Sequence, residues 1–522
     1  MPAQTIELRF PEKGVIRRSS ARHAPEGSSS WCVNARLEDN LDRRLRGGSR
    51  PGLTKFYDFV LGAVIADISS INVSSAAGGA SEVLFVLADG VIKTLEGGIA
   101  TGQVAYLTDE SGNILTDESA NRLTVSSGLI PMSAFLVTGQ QHVFGVTTTA
   151  IAKMDVKTGQ TDNLLASAGT VPTNCTFGAV YRDRLCLSGQ DNAIYMSKQG
   201  DYTDWDFGEH FENQQRAVPF QLSLGADVGA LPTAMIPCLD AYMICASART
   251  LWVLNGDPTA DGSLKRVSET VGIIGSKAWV KVDTSIVFLS EDGLYQVNAD
   301  GSDLKPLTPD VVPDELRNID VSTTTVRLGW DQDRQAFHIY LRTTGGSDTH
   351  WMYEMVSQSF WPMRYQNNHS PLALCQCGGN LLLAGNDGYV RKVTGDDDDG
   401  SKIESHVLLG PVKLGELDAE GLVNALRVVL ANGSGTVNWR LIVGDSADTA
   451  TDNGKLAIEA FQAGNSYTAY VAASGTLTAG RSTTKRPRVR GNWACLWLQS
   501  TSQWAFEGVT MQISSAGKWR GT

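Results

Sequence analysis

Between Leu84 and Val393 the chain repeats one short pattern seven times: an apolar run, a few polar or turn residues, and a second apolar run. The runs are "LFVLADGVIKTL" from Leu84, "FLVTGQQHVFGV" from Phe135, "LCLSGQDNAIYMS" from Leu185 and "YMICASARTLWVLNG" from Tyr242. "IVFLSEDGLYQV" from Ile286, "FHIYLRTTGGSDTHWMYEM" from Phe337 and "LLLAGNDGYVRKV" from Leu381 complete the set. Successive starts lie 44 to 57 residues apart. Each run reads as a β-hairpin, and three carry Asp-Gly at the turn, where positive φ is needed (Asp89-Gly90, Asp292-Gly293, Asp387-Gly388). One hairpin per roughly 40 to 50 residues is the blade period of a β-propeller. The expected fold is therefore all-β, with five to seven blades over about 61–400. The alternative is a series of irregular sandwich hairpins.

With 522 residues and 53 glycines, the chain is long enough for more than one core and rich enough in turns for many short strands. Beyond the last repeat, "ALRVVLANGSGTVNWRLIVGD" and "ACLWLQSTSQWAFEGVTMQIS" alternate apolar and polar residues over longer spans. That pattern predicts an antiparallel β-sandwich, so 401–522 forms a platform domain and 1–60 an arm and strand leading into the propeller. "GDDDDG" at 395–400 reads as a solvated linker between the two, since a calcium loop would alternate its ligands and add a distal Glu. One short helix is expected within "PDVVPDELRNID" at 309–320, near Asp310 or Asp314.

The search for chemistry returns no constellation. A Walker loop, a Gly-x-Ser-x-Gly elbow and a His-Glu-x-x-His helix are all missing, and the seven histidines lack metal-ligand spacing. His338 lies in an apolar strand and reads as a core residue. Trp205, Trp330, Trp351 and Trp361 read as packing aromatics rather than sugar platforms. Eight scattered cysteines without a CxxC pair point to reduced thiols, with Cys375 and Cys377 on one face of a strand. No catalytic residue, metal or cofactor is expected. The opening residues carry no apolar run of the signal-peptide kind and no stretch approaches a membrane span, so synthesis in a cytoplasm is expected.

Two charged features remain. "RRLRGGSRPGL" at 43–53 is the densest basic stretch in a chain of net charge −12. It lacks the Lys-Ser/Thr of a phosphate loop, so we read a joint. Gly47 and Gly48 turn the backbone, Pro51 extends what precedes it, and Arg43, Arg44, Arg46 and Arg50 pair with carboxylates of a neighbouring subunit, the C-terminal domain or an adaptor. The second feature is the tandem "LTDESGNI"–"LTDESANR" at 107–122, which predicts a protruding hairpin. It presents Asp109, Glu110, Asp117 and Glu118 to a channel or a partner, or to solvent as a simple insertion.

Three stretches resemble the tail nozzle (tail hub) proteins of short-tailed bacteriophages, a family related to packaged-DNA-stabilisation proteins. They are "RHAPEGSSSWCVNARLEDNLDRRLRGGSRPGL" (22–53), "YRDRLCLSGQDNAIYMSKQGDYTDWDFG" (181–208), and "FLSEDGLYQV" (288–297) with "YEMVSQSFWPM" (353–363). The tail segments "KRPRVRGNWACLWLQ" and "EGVTMQIS" are similar to that family's platform. The resemblance implies a homo-oligomer of six copies beneath a portal and adaptor, part of the virion tail. It further implies contact with fibres or spikes, and a channel that retains the genome and releases it during ejection, near DNA but without sequence specificity. The alternatives are a propeller that binds or degrades surface glycans, and a monomeric interaction propeller.

Overall fold

The computed structural model describes residues 4–518 except 18–19, 59, 62–63, 75–79, 97–98, 102–133, 140, 157–160, 224–228, 261, 309–311, 318, 346–347, 367–368, 416–418 and 482–483. Each of the seven repeats lies in its own four-stranded antiparallel sheet. Blade 1 runs Ile65–Ser74, Ala80–Ala88, Val91–Glu96 and Ile99–Thr101. Blades 2 to 6 start at Phe135–Thr138, Cys175–Tyr181, Pro232–Cys238, Trp279–Val282 and Thr324–Asp331. Blade 7 takes three strands from Ala373–Cys377, Asn380–Ala384 and Val390–Val393, and its outermost strand, Leu53–Lys55, from near the start of the chain. The protein is a seven-bladed β-propeller with a second β-domain.

Period two explains how the blades pack. A strand of a propeller is covered on both faces, so its alternate residues feed two different cores. In blade 4, Ile236, Ile244 and Ala246 belong to the core shared with blade 5, where Phe288 and Leu289 lie. Their neighbours Met235, Met243 and Cys245 pack on Phe177, Tyr181 and Cys186 of blade 3. The ring closes between Ala373, Leu382 and Val390 of blade 7 and Ile68, Leu84 and Val86 of blade 1. Fully burying each of the larger aliphatic, phenylalanine and methionine side chains is worth about 1.5–3 kcal/mol, which explains near-continuous apolar strands in place of a polar face.

Of the three Asp-Gly pairs, only Asp89-Gly90 forms a two-residue turn with both φ positive, at 53° and 75°. In blade 5 the turn is Glu291-Asp292, because Ser290 pairs with Gly293, which opens the next strand at φ 148° beside Thr308. In blade 7 Gly388, at φ 78°, sits inside a longer loop.

The second domain is a sandwich with a helical outer layer. One sheet runs Gln4–Leu8, Phe506–Lys518, Ala419–Leu430, with Gly480–Arg481 and Val489–Gly491 along the far edge. The other runs Cys32–Val33, Ser405–Lys413, Trp493–Ser500, Val437–Gly444, Ala473–Leu477. The first sixty residues are thus divided. Two of their strands complete the sandwich, the hairpin Ala35–Glu38/Leu45–Ser49 lies between the domains, and Leu53–Lys55 closes blade 7. The expected arm and strand leading into the propeller thus also supply strands to the sandwich.

A second departure is the helix Ala447–Gln462, in a region expected to be all strand. Ser446 caps it, its Oγ accepting from the Thr449 N–H at 3.0 Å. Its buried face is Ala447, Ala450, Thr451, Gly454, Ala457 and Ile458, too small and too weakly apolar to stand out. Gly454 is required there: a Cβ would meet Leu408 Cδ2 at 2.7 Å. The expected helix within 309–320 shrinks to a single 3-10 turn, Asp314–Leu316, among the described residues.

Candidate functional site: the interdomain joint and the propeller channel

The basic stretch 43–53 turns out to be the place where sandwich and propeller meet. Gly47 has φ 92°, and a Cβ there would fall inside the Phe10 ring. At Gly48 a Cβ would lie 2.4 Å from the Trp504 carbonyl. Phe10 itself stacks on Trp361 of blade 6 at 5.9 Å and packs near Trp504 and Phe506 of the sandwich. A side chain at either glycine would push the two domains apart.

Arg50 is 1% exposed and uses all its donors inside the chain. Its Nη atoms donate to the Asp398 carboxylate at 2.8 and 2.6 Å, to the Pro51 carbonyl at 2.8 Å and to the Arg364 carbonyl at 3.0 Å. Nε donates to Asn34 Oδ1 at 2.9 Å, and the guanidinium lies 4.5 Å over the Tyr365 ring. Burial works to lower the Arg50 pKa, and Asp398 outweighs it, so the net shift is upward. Arg50 is therefore not available to a neighbouring subunit.

The other three arginines lie further out. Arg46 reaches Asp39 at 2.9 Å, Asp42, and Glu507 of the C-terminal region at 3.4 Å. Arg43, at φ 57°, pairs with Asp333 in the open, and Arg44 is exposed, 4.0 Å from Asp42.

"GDDDDG" is not a solvated linker. Its four carboxylates have separate structural duties: Asp396 accepts from Asn40, Asp397 from the Gly400 N–H, Asp398 from Arg50, and Asp399 from Arg391 at 2.7 Å. The run is tied down because two buried arginines need counter-charges. Gln503 completes the joint, donating to the Arg50 and Asp396 carbonyls at 3.0 and 2.9 Å. Sequence reasoning missed these partners. No local signal marked Asp398 as the partner of Arg50, whereas Arg46 has Asp39 and Asp42 close in sequence.

Beyond Arg50 runs a buried polar chain. His338, 1% exposed, lies 3.2 Å from the Tyr340 hydroxyl, which lies 3.5 Å from that of Tyr365. His350 faces both rings, and its Nε2 lies 3.1 Å from Ser370 Oγ, which donates to Asp348 at 2.7 Å. Burial pushes the His350 pKa down from 6.5 to about 4; Asp348 opposes the shift and Arg50 adds to it. A base depressed by folding stabilises the native state fully above the unfolded value. That contribution is lost as pH falls from about 6.5 towards 4, and amounts to about 3 kcal/mol in all. Urea unfolding of the wild type against His350→Gln from pH 7 to 4 should show the wild type losing more stability; parallel curves would refute the assignment. His406, also depressed by burial, acts in the same direction in both proteins.

The inner strands surround a channel enclosing a cavity of about 450 Å³, to which every blade contributes, among others Ser70, Thr138, Val180, Pro237, Lys281, Arg327 and Gln376. Asp67 accepts from Arg327 at 2.9 Å, from the Leu136 N–H at 3.1 Å, and from Lys277. Blade 1 is thereby tied to blades 5 and 6. Burial works to raise the Asp67 pKa, and Lys277 with Arg327 more than offsets it, leaving the carboxyl below its ordinary value. Lys281 donates to the Pro237 carbonyl. The described lining holds no histidine, and burial pushes its one cysteine, Cys375, well above the ordinary thiol range. The channel's cations are tied up in structural contacts.

The stretch 181–208 is likewise structural. Arg184, fully buried, donates to Asp257 at 2.9 Å, to the Ser197 and Arg216 carbonyls at 2.8 and 2.6 Å, and to Thr259 Oγ1 at 3.0 Å. It pins the long loop of blade 3 to blade 4. Trp205, Trp351 and Trp361 are buried, and Trp330 packs on Phe337 at 4.6 Å. All eight cysteines are free thiols; Cys375 and Cys377 pack against the same core. Asp109, Glu110, Asp117 and Glu118 lie outside the described residues.

No family model and no curated protein matches this chain. Among solved structures it is similar to the WD40 β-propeller domain of Doa1, with 13% identity over 66% of this chain and 95% of that one, at a TM-score of 0.36. The computationally designed Ika8 protein is matched at 12% identity over 64% of this chain and 99% of that one, TM-score 0.34. YCF48 bound to D1 peptide is matched at 10% identity over 67% and 98%, TM-score 0.36. At these scores the assignment of the propeller rests on the seven four-stranded sheets themselves. No described helix is long and apolar enough to cross a membrane. Among the described residues no three His, Cys, Asp or Glu side chains are grouped to hold a metal ion.

Proposed function

We propose that this chain is a structural subunit of a bacteriophage tail nozzle. Copies form a ring below the portal and adaptor, enclose the DNA channel, retain the packaged genome and pass it on during ejection. Fibres or spikes attach at the outer face. One observation carries the reading: the residues that resemble the nozzle family are the residues that weld this molecule together. Arg50 and Gly52 at the joint, Arg184 and Trp205 in blade 3, and Glu354 and Trp361 against the N-terminal segment all fill structural positions. A part that transmits force between head and tail needs stiff connections between domains, and the buried bidentate Arg50–Asp398 pair supplies one. The chain acts mechanically rather than as an enzyme.

Negative-stain electron microscopy of the purified protein with its adaptor ring tests this. Sixfold particles below the adaptor are expected. A persistent monomer that ignores the adaptor would sink the reading, and release of reducing sugars from host polysaccharide would favour a glycan-degrading propeller instead.

A further inference from the structure

The outward face of the first sandwich sheet carries charges without partners. Arg486, Arg488 and Arg490 are exposed along the edge segment that follows Ala419–Leu430, alternating with Pro487 and with the inward-facing Val489. Arg427 lies on the same face of the adjoining strand, since its neighbours Leu426 and Val428 are buried in the core. Among the described residues none of these four arginines makes an ion pair or a side-chain hydrogen bond. In a chain of net charge −12 whose buried Arg50, Arg184 and Arg391 are bound to carboxylates, four unpartnered guanidiniums on one face are conspicuous.

The opposite side of the same domain carries the complement. Helix Ala447–Gln462 covers the outer face of the second sheet, packing Ala450, Ala457 and Ile458 on Leu408, Ile442 and Trp497. Its solvent side, with the residue before its cap, presents Asp445, Asp452 and Glu459, all exposed. Asp452 has Lys455 at 3.7 Å as its one ion-pair partner. Val489–Gly491 pairs with Gly421–Val423, and Arg488 has φ 54°, so the three arginines follow a bent edge segment rather than one straight strand. Asp452 and Glu459 lie two helical turns, or about 10.5 Å, apart on one side of the helix.

We propose that the arginine strip of one copy docks on the acidic helix face of the next copy. The two patches differ and face opposite ways, so the contact is heterologous: it passes from copy to copy and closes into a ring where the rotation allows. This rests on the ring reading above and deepens it by naming the surfaces. Arginine suits the role because its fork pairs with carboxylates in two-point contacts.

Sedimentation velocity of the full-length chain, from low to high concentration and salt, tests both ideas together. Wild type should associate, and less so at about 0.5 M salt, where exposed charges are screened. The triple variant R486E/R488E/R490E and the triple variant D445K/D452K/E459K should each weaken association about 10- to 100-fold. Combining all six reversals should restore most of it. Wild type that stays monomeric at every concentration overturns the ring reading and this contact with it. Association unchanged in both triple variants overturns the contact alone. A strip variant that associates normally but no longer binds a double-stranded oligonucleotide would show that the strip serves nucleic acid, and would overturn the copy-to-copy assignment.

Discussion

Asp398→Ala will lower the unfolding free energy by about 3–5 kcal/mol. The Arg50–Asp398 pair is nearly inaccessible, with side-chain exposures of 2% and 3%, and truncation leaves a guanidinium in the core without its counter-ion. Solvating that charge requires opening the contact between the 395–400 run and residues 50–53, where the Leu53 N–H also donates to the Asp397 carbonyl at 2.9 Å. Asp398→Asn should lose less, because an amide oxygen still accepts one of the two bonds. Asp333→Ala is the control: Arg43 and Asp333 are 53% and 62% exposed, so the loss should stay below about 1 kcal/mol. Chemical denaturation at pH 7, followed by far-ultraviolet dichroism and by tryptophan fluorescence, reads all three. A loss under about 1 kcal/mol for Asp398→Ala would refute the claim that this pair holds the joint.

What the sequence disclosed and what it hid follow from the range of the forces involved. Each hairpin is local: its two strands and turn sit within a few residues, and period two is written directly into stretches such as "LFVLADGVIKTL". The seven repeats were legible for that reason. The partner of Arg50 lies 348 residues away, and nothing in either segment names the other. Read separately, the basic run looked like a joint whose arginines pair with a neighbouring subunit, the C-terminal domain or an adaptor, and the acidic run looked like a linker. Paired, they are one buried contact. The helix stayed hidden for a different reason: apart from Ile458 its core side is alanine, glycine and threonine, a face shaped more by close approach to Leu408 than by hydrophobicity. A strand near the end of the first sixty residues was expected, but its place as the fourth strand of blade 7 was hidden because three residues carry no period. Only the incomplete seventh sheet asks for them.

That closing strand sets the second large effect. Gly52→Val should open the propeller. A Cβ at Gly52 would lie 1.9 Å from the Asp397 carbonyl oxygen and 2.5 Å from its carbon, and both are backbone, so no side-chain rotation relieves the clash. Residues 50–53 must then move away from 395–399. With them go the pairs Leu53 with Val393, Thr54 with Lys392 and Lys55 with Arg391, which are all of the strand's ladder. The Gly52 N–H would also lose the Gly395 carbonyl at 2.8 Å, and Asp399 its Leu53 carbonyl at 2.8 Å. Blade 7 would be left with three strands and an exposed edge along Val390–Val393, while blades 2 to 5 keep every hydrogen bond they have. The cost should exceed about 4 kcal/mol, and it should be local before it is global. Hydrogen exchange separates the two cases. Amides of 53–55 and 390–393 should lose protection by at least about 100-fold, with those of Tyr242–Ser247 in blade 4 changed far less. Equal loss in both blades would mean that Leu53–Lys55 is not a latch and that the ring opens only when the whole molecule unfolds.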